Sequence, residues 1–173
     1  MSEQLKEVIS PERVRKRIRE MGREISGHYD GEPVLAVCVL KGAYFFFADL
    51  VRSLSLDMEL DFVRLASYGQ GTSSGEIVFS KDLETSIQGR HVLLVEDIVD
   101  TGRSIDFLRR MLVGRGPRSL KLAALVDKRE RREVEVKVDF PGFTLEKGFL
   151  VGCGMDFAEK YRGLSGIYEI IGP

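Results

Sequence analysis

The residues best suited to chemistry stand together between positions 96 and 104. Glu96, Asp97 and Asp100 place three carboxylates within five residues, and a small, hydroxyl-bearing segment follows at residues 101–104. Backbone N–H groups at a helix start, together with the helix dipole, bind phosphate groups. Carboxylates in turn accept hydrogen bonds from sugar hydroxyls. This pattern predicts a site for a ligand that is both phosphorylated and polyhydroxylated.

A buried strand and an amphipathic helix position this stretch. Residues 92–95 form a continuous apolar run, which is typical of a strand buried on both faces of a parallel sheet. After the loop, Ile105, Leu108 and Leu112 recur at the spacing of a helix. The sequence therefore predicts a strand, a loop and a helix, with the acids where the strand ends.

A second unit of the same kind precedes this one. Residues 34–40 are apolar, Lys41 and Gly42 follow, and an aromatic-rich helix begins at Tyr44, with its rings predicted to pack against the sheet. Ligands in open α/β sheets bind at the carboxyl ends of strands, so Lys41 and Gly42 are candidates for ligand contact. A turn is predicted at residues 140–143. Further strands are predicted at residues 58–66, 77–79, 120–126, 134–138, 149–152 and 166–171.

The composition is that of a globular protein with one core. The chain has 173 residues, of which 43% are hydrophobic and 31% charged, and its net charge of −1 provides no overall basic field for nucleic acid. Cys38 and Cys153 lie among apolar or small residues, which predicts buried free thiols. No apolar run reaches about 18 residues, and the N-terminus has no apolar signal region, so we expect a cytoplasmic protein without a membrane span.

Residues 95–104, Val-Glu-Asp-Ile-Val-Asp-Thr-Gly-Arg-Ser, resemble the signature of the type I phosphoribosyltransferases, and most closely that of their hypoxanthine-guanine branch. This family binds 5-phosphoribosyl 1-diphosphate. The resemblance extends over nearly the whole chain and implies an α/β fold, a mostly parallel sheet flanked by helices with a small antiparallel hood. It implies one domain of residues 1–173, with a core at about 30–140 and a hood from the N-terminal segment and about 140–173.

The resemblance also implies roles for individual residues. Asp100 would be the general base at the purine N7, and Leu40-Lys41-Gly42 would bind diphosphate through a strained peptide at Leu40–Lys41 that can be cis. Residues implied to bind 5-phosphoribosyl 1-diphosphate or nucleotide are Leu40, Lys41, Gly42, Glu96, Asp97, Ile98, Val99, Asp100, Thr101, Gly102, Arg103, Ser104 and Arg162.

The purine-binding residues implied by the resemblance are Lys128, Phe149, Leu150 and Asp156. Phe149 would stack on the base, and Lys128, which can only donate hydrogen bonds, would contact a 6-oxo group and disfavour adenine.

A metal and a closing loop complete the implied site. The implied cofactor is Mg²⁺, with Glu96, Asp97 and Asp156 as its ligands. Ser67 and Tyr68 would lead a flexible, Gly-rich hairpin loop that closes over the reacting centre and excludes water.

The expected reaction is purine salvage, in which hypoxanthine or guanine and 5-phosphoribosyl 1-diphosphate give IMP or GMP and diphosphate. Two alternatives stay open, a xanthine-preferring enzyme and a non-catalytic regulator that binds nucleic acid on the same fold. The regulator draws support from basic residues within 13–19, on a helix predicted to begin after Ser10, and within 129–132, which otherwise read as solvated. The resemblance also suggests a homodimer or homotetramer.

Overall fold

The computed structural model describes residues 4–68 and 76–171, with the side chains of Ser67, Tyr68 and Glu76 excepted. The predicted closing loop, and the Ser67 and Tyr68 side chains that would lead it, therefore lie outside the described residues. In the described part of the chain, no helix combines the length and apolar character needed to cross a lipid bilayer.

Nine strands and three helices are assigned within the described residues. In chain order they are β1 (Gln4–Ile9), α1 (Pro11–Tyr29), β2 (Val34–Leu40), α2 (Tyr44–Ser53), β3 (Met58–Tyr68), β4 (Glu76–Lys81), β5 (His91–Val99), α3 (Arg103–Val113), β6 (Ser119–Lys128), β7 (Phe140–Leu145), β8 (Leu150–Val151) and β9 (Ile167–Ile171).

Six strands form the main sheet, in the order β4-β3-β2-β5-β6-β7. All neighbouring pairs are parallel except β3 and β4, which pair as an antiparallel hairpin. Apolar side chains from β2, β5 and β6 pack against α1 and α2 on one face of the sheet and against α3 on the other. The predicted fold class, a mostly parallel sheet flanked by helices, is confirmed.

The two ends of the chain meet in a second, smaller sheet of order β1-β9-β8, which is antiparallel throughout. It is built from the terminal segments, where the hood was expected. Between β1 and the main sheet, α1 begins as predicted, because the Ser10 side chain accepts a hydrogen bond from the Arg13 N–H and Pro11 occupies the first turn. The division of the chain into core and hood at about residue 140 stays a prediction.

Two sequence expectations near the end of the main sheet were wrong. Residues 134–138 form no strand, and residues 140–143, expected to turn, belong to the parallel strand β7. The alternating pattern of residues 134–138 instead reflects a segment that packs against α3 through the buried Val136. Pro141 is compatible with β7 because this strand lies at the edge of the sheet, where one side needs no ladder hydrogen bonds.

The aromatic run at the start of α2 follows the prediction only in part. Phe46 and Phe47 are buried in the core, whereas Tyr44 and Phe45 remain 53% and 44% exposed. Helical geometry explains the split, since consecutive side chains of a helix cannot all face the same sheet.

Asp61 on β3 is a polar anchor at the edge of the core. Its carboxylate is buried and accepts hydrogen bonds from the backbone N–H groups of Phe62, Glu84 and Thr85, at 2.7, 2.9 and 2.9 Å. Burial alone would raise the pKa of Asp61, but these three bonds outweigh it and hold the pKa below its usual value. The side chain thereby fixes the chain that follows β4.

Candidate active site

The candidate site lies where three adjacent strands of the main sheet end. β2, β5 and β6 are parallel neighbours, so their carboxyl ends meet at one edge. Lys41 and Gly42 follow β2, the acids Glu96 and Asp97 lie near the end of β5, and Lys128 is the last residue of β6. The topology therefore brings together segments that are far apart in the sequence.

Glu96 and Asp97 are both buried, each with 8% of its surface exposed. Glu96 Oε1 accepts from the Asp97 N–H at 3.0 Å, and Asp97 Oδ1 accepts from the Ile98 N–H at 2.8 Å. Burial raises the pKa of Glu96 well above its usual value, and repulsion by Asp97 raises it further. Burial also raises the pKa of Asp97. Two carboxylates held this way are poised for hydroxyl groups or a cation.

The loop after β2 contacts this acid pair directly. Its Leu40–Lys41 peptide is cis, in agreement with what the family resemblance implies for this loop. Gly42 lies so close to Asp97 that a Cβ at position 42 would overlap the carboxylate. A side chain at position 42 would therefore displace the Asp97 carboxylate from its present position.

The loop between β5 and α3 surrounds a cavity of about 160 Å³. Gly102 precedes the first residue of α3 and has a left-handed backbone with φ of 85°, and a Cβ there would overlap the Val134 carbonyl. The first turn of α3 opens toward this cavity, and a helix start offers N–H donors to an anion. Its walls are Glu96, Asp97, Ile98, Val99, Asp100, Thr101, Gly102, Ser104 and Ile105.

One of the implied contacts differs at the loop surface. The Arg103 side chain is 49% exposed and pairs with Glu133 beside the loop. Arg103 is thus occupied by a carboxylate rather than aimed at the cavity.

A second cavity, of about 190 Å³, adjoins the first through Asp97, Ile98 and Asp100, which line both. It brings together all four predicted purine-binding residues, Lys128, Phe149, Leu150 and Asp156. Phe149 is 49% exposed, so its ring is available to a ligand and is not a core side chain.

Asp100 lies between two cations in this second cavity. Lys128 Nζ is 3.4 Å from Asp100 Oδ1, and an Arg131 guanidinium nitrogen is 3.4 Å from Oδ2. Lys128 is 5% exposed and also donates to the Gly148 carbonyl at 3.1 Å. Asp100 Oδ1 is buried and finds no hydrogen-bond partner within the described residues. A buried acceptor of this kind is costly unless a ligand supplies a donor.

Charged residues close the outer side of the site. Arg162 pairs with Asp156 at 2.8 Å and with Glu159 at 3.3 Å, and it donates to the Gly154 carbonyl at 2.7 Å. Lys41 Nζ also pairs with Glu159, at 3.3 Å. The Lys41 and Arg162 side chains thus converge on a single carboxylate, beside the loop whose backbone is implied to bind a diphosphate.

The implied metal ligands are not assembled as a three-residue centre. Across residues 4–68 and 76–171, no three His, Cys, Asp or Glu side chains are placed to hold one ion. Asp156 is drawn toward Arg162, while Glu96 and Asp97 remain adjacent. A pair of carboxylates nevertheless fits Mg²⁺, which proteins usually bind through one or two carboxylates together with substrate oxygens and water.

Comparison with known proteins identifies the family. The phosphoribosyl transferase domain family matches residues 5–158. This chain belongs to the phosphoribosyl transferase domain family.

The proteins similar to this chain include hypoxanthine and hypoxanthine-guanine phosphoribosyltransferases. The hypoxanthine-guanine phosphoribosyltransferase of Bacillus subtilis (strain 168) is 42% identical over 160 residues, covering 92% of this chain and 89% of that protein. The crystal structure of a hypoxanthine-guanine phosphoribosyltransferase from Bacillus anthracis superposes with a TM-score of 0.90 at 36% identity, covering 97% of this chain and 99% of that one.

A longer relative contains the same domain. The bifunctional protein TilS/HprT of Listeria monocytogenes serotype 4b (strain F2365) is 44% identical over 160 residues, which are 92% of this chain. This chain spans 25% of that protein's length.

The phosphoribosyl transferase family generally uses a divalent metal with 5-phosphoribosyl 1-diphosphate.

Four residues of the candidate site are not predicted by the sequence. Asp127 and Arg132 form a buried ion pair beneath it, Arg131 contacts Asp100, and Glu159 joins Lys41 to Arg162. The sequence predicts a solvated loop at residues 129–132, which is wrong for Arg132, whose side chain is 5% exposed. The available signal was an acid placed among the buried residues at the end of β6, next to several arginines.

Proposed function

We propose that this chain transfers the phosphoribosyl group of 5-phosphoribosyl 1-diphosphate to hypoxanthine or guanine, giving IMP or GMP and diphosphate in purine salvage. The observation that carries this proposal is the pairing of Asp100 with Lys128, 3.4 Å apart, in the cavity lined by Phe149. That cavity adjoins the cavity of about 160 Å³ before α3. A base and a sugar phosphate can therefore lie side by side.

Lys128 supports selection of a 6-oxopurine. Its ammonium has three N–H donors, of which one is directed to the Gly148 carbonyl and one faces Asp100. The third can donate to an oxygen at purine C6, whereas the amino group of adenine would present a donor to a donor. Phe149 would stack on the base, and the backbone at Leu150 would contact the ring edge.

The residues support substitution at the sugar carbon C1′. The C1′–O bond to diphosphate breaks and the purine N9–C1′ bond forms, while the N7 proton passes to Asp100 as general base. Positive charge develops on the ribose, which the buried carboxylates of Glu96 and Asp97 stabilise. These two acids would also bind the ribose hydroxyls.

The phosphate groups would bind at the two loops. The backbone of residues 100–104 would surround the 5′-phosphate at the start of α3, and Leu40, Lys41 and Gly42 with Arg162 would contact the diphosphate. Ser67 and Tyr68 would lead the segment that closes over them. Mg²⁺ would be held by Glu96 and Asp97, with Asp156 nearby, and would neutralise charge on the leaving diphosphate.

The cellular setting of this reaction is proposed from the same reasoning. We expect a cytoplasmic protein that assembles as a homodimer or homotetramer, with the exposed Tyr44 and Phe45 of α2 available for contact between subunits. The alternative of a nucleic-acid-binding regulator has less support from the structure than from the sequence. The Arg17 guanidinium donates hydrogen bonds to Glu24 and to the carbonyls of Pro141 and Gly142, so it is not free for a phosphate backbone.

A panel of bases tests the proposal. Purified protein is incubated with 5-phosphoribosyl 1-diphosphate, Mg²⁺ and, separately, hypoxanthine, guanine, xanthine or adenine, and the nucleotides are separated chromatographically. We expect IMP and GMP, and no product after chelation of the metal with EDTA. Product from xanthine alone would select the xanthine-preferring alternative, and product from adenine would refute the role of Lys128. No product from any base would overturn the enzyme.

A further inference from the structure

Asp127 and Arg132 form an ion pair beneath the site, inside the protein. Arg132 Nη2 lies 2.6 Å from Asp127 Oδ1, and the two side chains are 5% and 4% exposed. A buried pair of charges loses hydration, and only good geometry with additional hydrogen bonds offsets that loss. The further partners of this guanidinium therefore show what it holds in place.

Arg132 binds backbone carbonyls from two different strand ends. Its Nε donates to the Asp100 carbonyl at 2.9 Å, and its Nη2 donates to the Val99 and Lys128 carbonyls at 3.1 and 3.0 Å. A guanidinium carries its N–H donors in a rigid plane, so it holds several acceptors at fixed relative positions. Arg132 thus connects the end of β5, where Asp100 lies, to the end of β6, where Lys128 lies.

The chain after Arg132 supports the phosphate loop from the same side. The N–H groups of Glu133 and Val134 both donate to the Thr101 carbonyl, at 2.9 and 3.0 Å. Gly102 packs against the Val134 carbonyl, and a Cβ at Gly102 would lie 3.3 Å from Arg132 Cδ. Residues 132–134 therefore pack against Thr101 and Gly102 from outside the cavity that these two residues line.

We infer that Arg132 is a positioning residue, which fixes Asp100 and Lys128 relative to each other and so sets how the purine is presented to the sugar carbon. The inference rests on the proposed function. Asp100 and Lys128 must reach N7 and the 6-oxo group of one rigid, planar base at the same time. A displacement of about 1 Å in such an arrangement can lower the rate roughly 100-fold.

Arg129 provides a matched control. Its guanidinium pairs with the other oxygen of the same carboxylate, Asp127 Oδ2, at 2.7 Å, but it is 43% exposed. Arg129→Gln therefore removes one partner of Asp127 and leaves the carbonyl contacts of Arg132 intact. Arg132→Lys does the reverse, since it keeps a positive charge near Asp127 but replaces the planar fork by a single ammonium.

The test measures steady-state IMP formation and thermal unfolding of both variants. We expect Arg132→Lys to have about tenfold lower kcat and about threefold higher KM for hypoxanthine, with an unfolding midpoint close to that of wild type. Arg129→Gln should keep the wild-type kcat and KM. Equal losses in the two variants, or wild-type kinetics in Arg132→Lys, would refute the positioning role. So would a loss of activity that only follows the loss of folded protein.

Equilibrium binding separates this inference from the proposed function. On the proposed function, IMP would occupy both cavities, whereas ribose 5-phosphate would occupy only the cavity before α3. Arg132→Lys should weaken IMP binding by about tenfold and ribose 5-phosphate binding much less, because only IMP depends on the relative placement of the two strand ends. An equal loss for both ligands would contradict the inference. A wild-type chain without turnover would overturn the proposed function, and this binding comparison would still decide the role of Arg132.

Discussion

Replacement of Lys128 by methionine should impair the use of 6-oxopurines much more than the binding of the sugar diphosphate. The ammonium is 5% exposed, and one of its N–H groups donates to the Gly148 carbonyl. Asp100 Oδ1 lies 3.4 Å away as an ion-pair partner without a hydrogen bond, so at least one N–H group remains for a ligand. A hydrogen bond from a charged group contributes about 1.5–3 kcal/mol. Its loss corresponds to a decrease of about 10- to 150-fold in kcat/KM for hypoxanthine. Methionine retains the length and apolar stem of lysine, so the cavity wall should persist.

The assay varies each substrate in turn while the other is saturating. Lys128→Met should raise KM for hypoxanthine and leave KM for 5-phosphoribosyl 1-diphosphate nearly unchanged. Lys128→Gln, which keeps a neutral donor, should fall between wild type and the methionine variant. Equal losses for both substrates would show that Lys128 supports the site as a whole, and the reasoning about base recognition would be wrong.

Three further predictions concern the loop, the fold and the thiols. Gly102→Ala should raise KM for 5-phosphoribosyl 1-diphosphate by about tenfold or more. A side chain at this position costs about 1–2 kcal/mol in backbone conformation and overlaps the Val134 carbonyl. Steady-state kinetics test this prediction, and an unchanged KM would contradict it. Asp61→Asn should destabilise the fold by about 1.5–3 kcal/mol at pH 7 in urea unfolding, since it removes charge-assisted bonds to backbone N–H groups. The folded pKa of Asp61 lies below the unfolded value of about 3.9, so this stabilisation is present above pH 4 and disappears as the pH falls through the folded pKa; a difference that persisted unchanged at pH 2 would refute that cause. Burial raises the pKa of the Cys38 and Cys153 thiols to about 12, so neither should react with a disulfide reagent at pH 8 until the protein unfolds; rapid reaction of the native protein would contradict their placement.

The sequence predicted the main elements well where local pattern and tertiary burial agree. The apolar runs of β2, β5 and β6 are buried on both faces, and the helical spacing of Ile105, Leu108 and Leu112 matches the core face of α3. Local patterns of this kind are readable because each residue's neighbours along the chain set its environment.

The sequence was misleading where contacts between residues distant along the chain determine the secondary structure. The alternation of residues 134–138 resembles a strand, but its backbone hydrogen-bonds to the phosphate loop at Thr101 and no strand forms. Residues 140–143 contain Pro and Gly and resemble a turn, but they pair in parallel with the edge of β6 and form part of β7. Neither outcome can be read without knowing which strand edge is open.

The candidate site shows the same division. Strand ends followed by acids, lysines and glycines predict the ligand side of the sheet. The acids after β5 and Lys128 after β6 line the two cavities, whereas Gly42 lies beside them, against Asp97. Their roles toward a ligand stay predictions. The supporting contacts were not visible, because Arg132 reads as one of several loop arginines until the fold buries it. The contribution of Glu159, which reaches Lys41 across the site, likewise depends on the fold.

The most direct test of the central claim compares IMP formation by wild type and by Asp100→Asn, with saturating hypoxanthine, 5-phosphoribosyl 1-diphosphate and Mg²⁺. Asn keeps the shape of the side chain but is a far weaker base, and general base catalysis contributes about 100- to 10,000-fold. We expect an active wild type, and a variant whose kcat is lower by that factor while its unfolding midpoint and both KM values change little. A variant as fast as the wild type would contradict the role of Asp100 as the base.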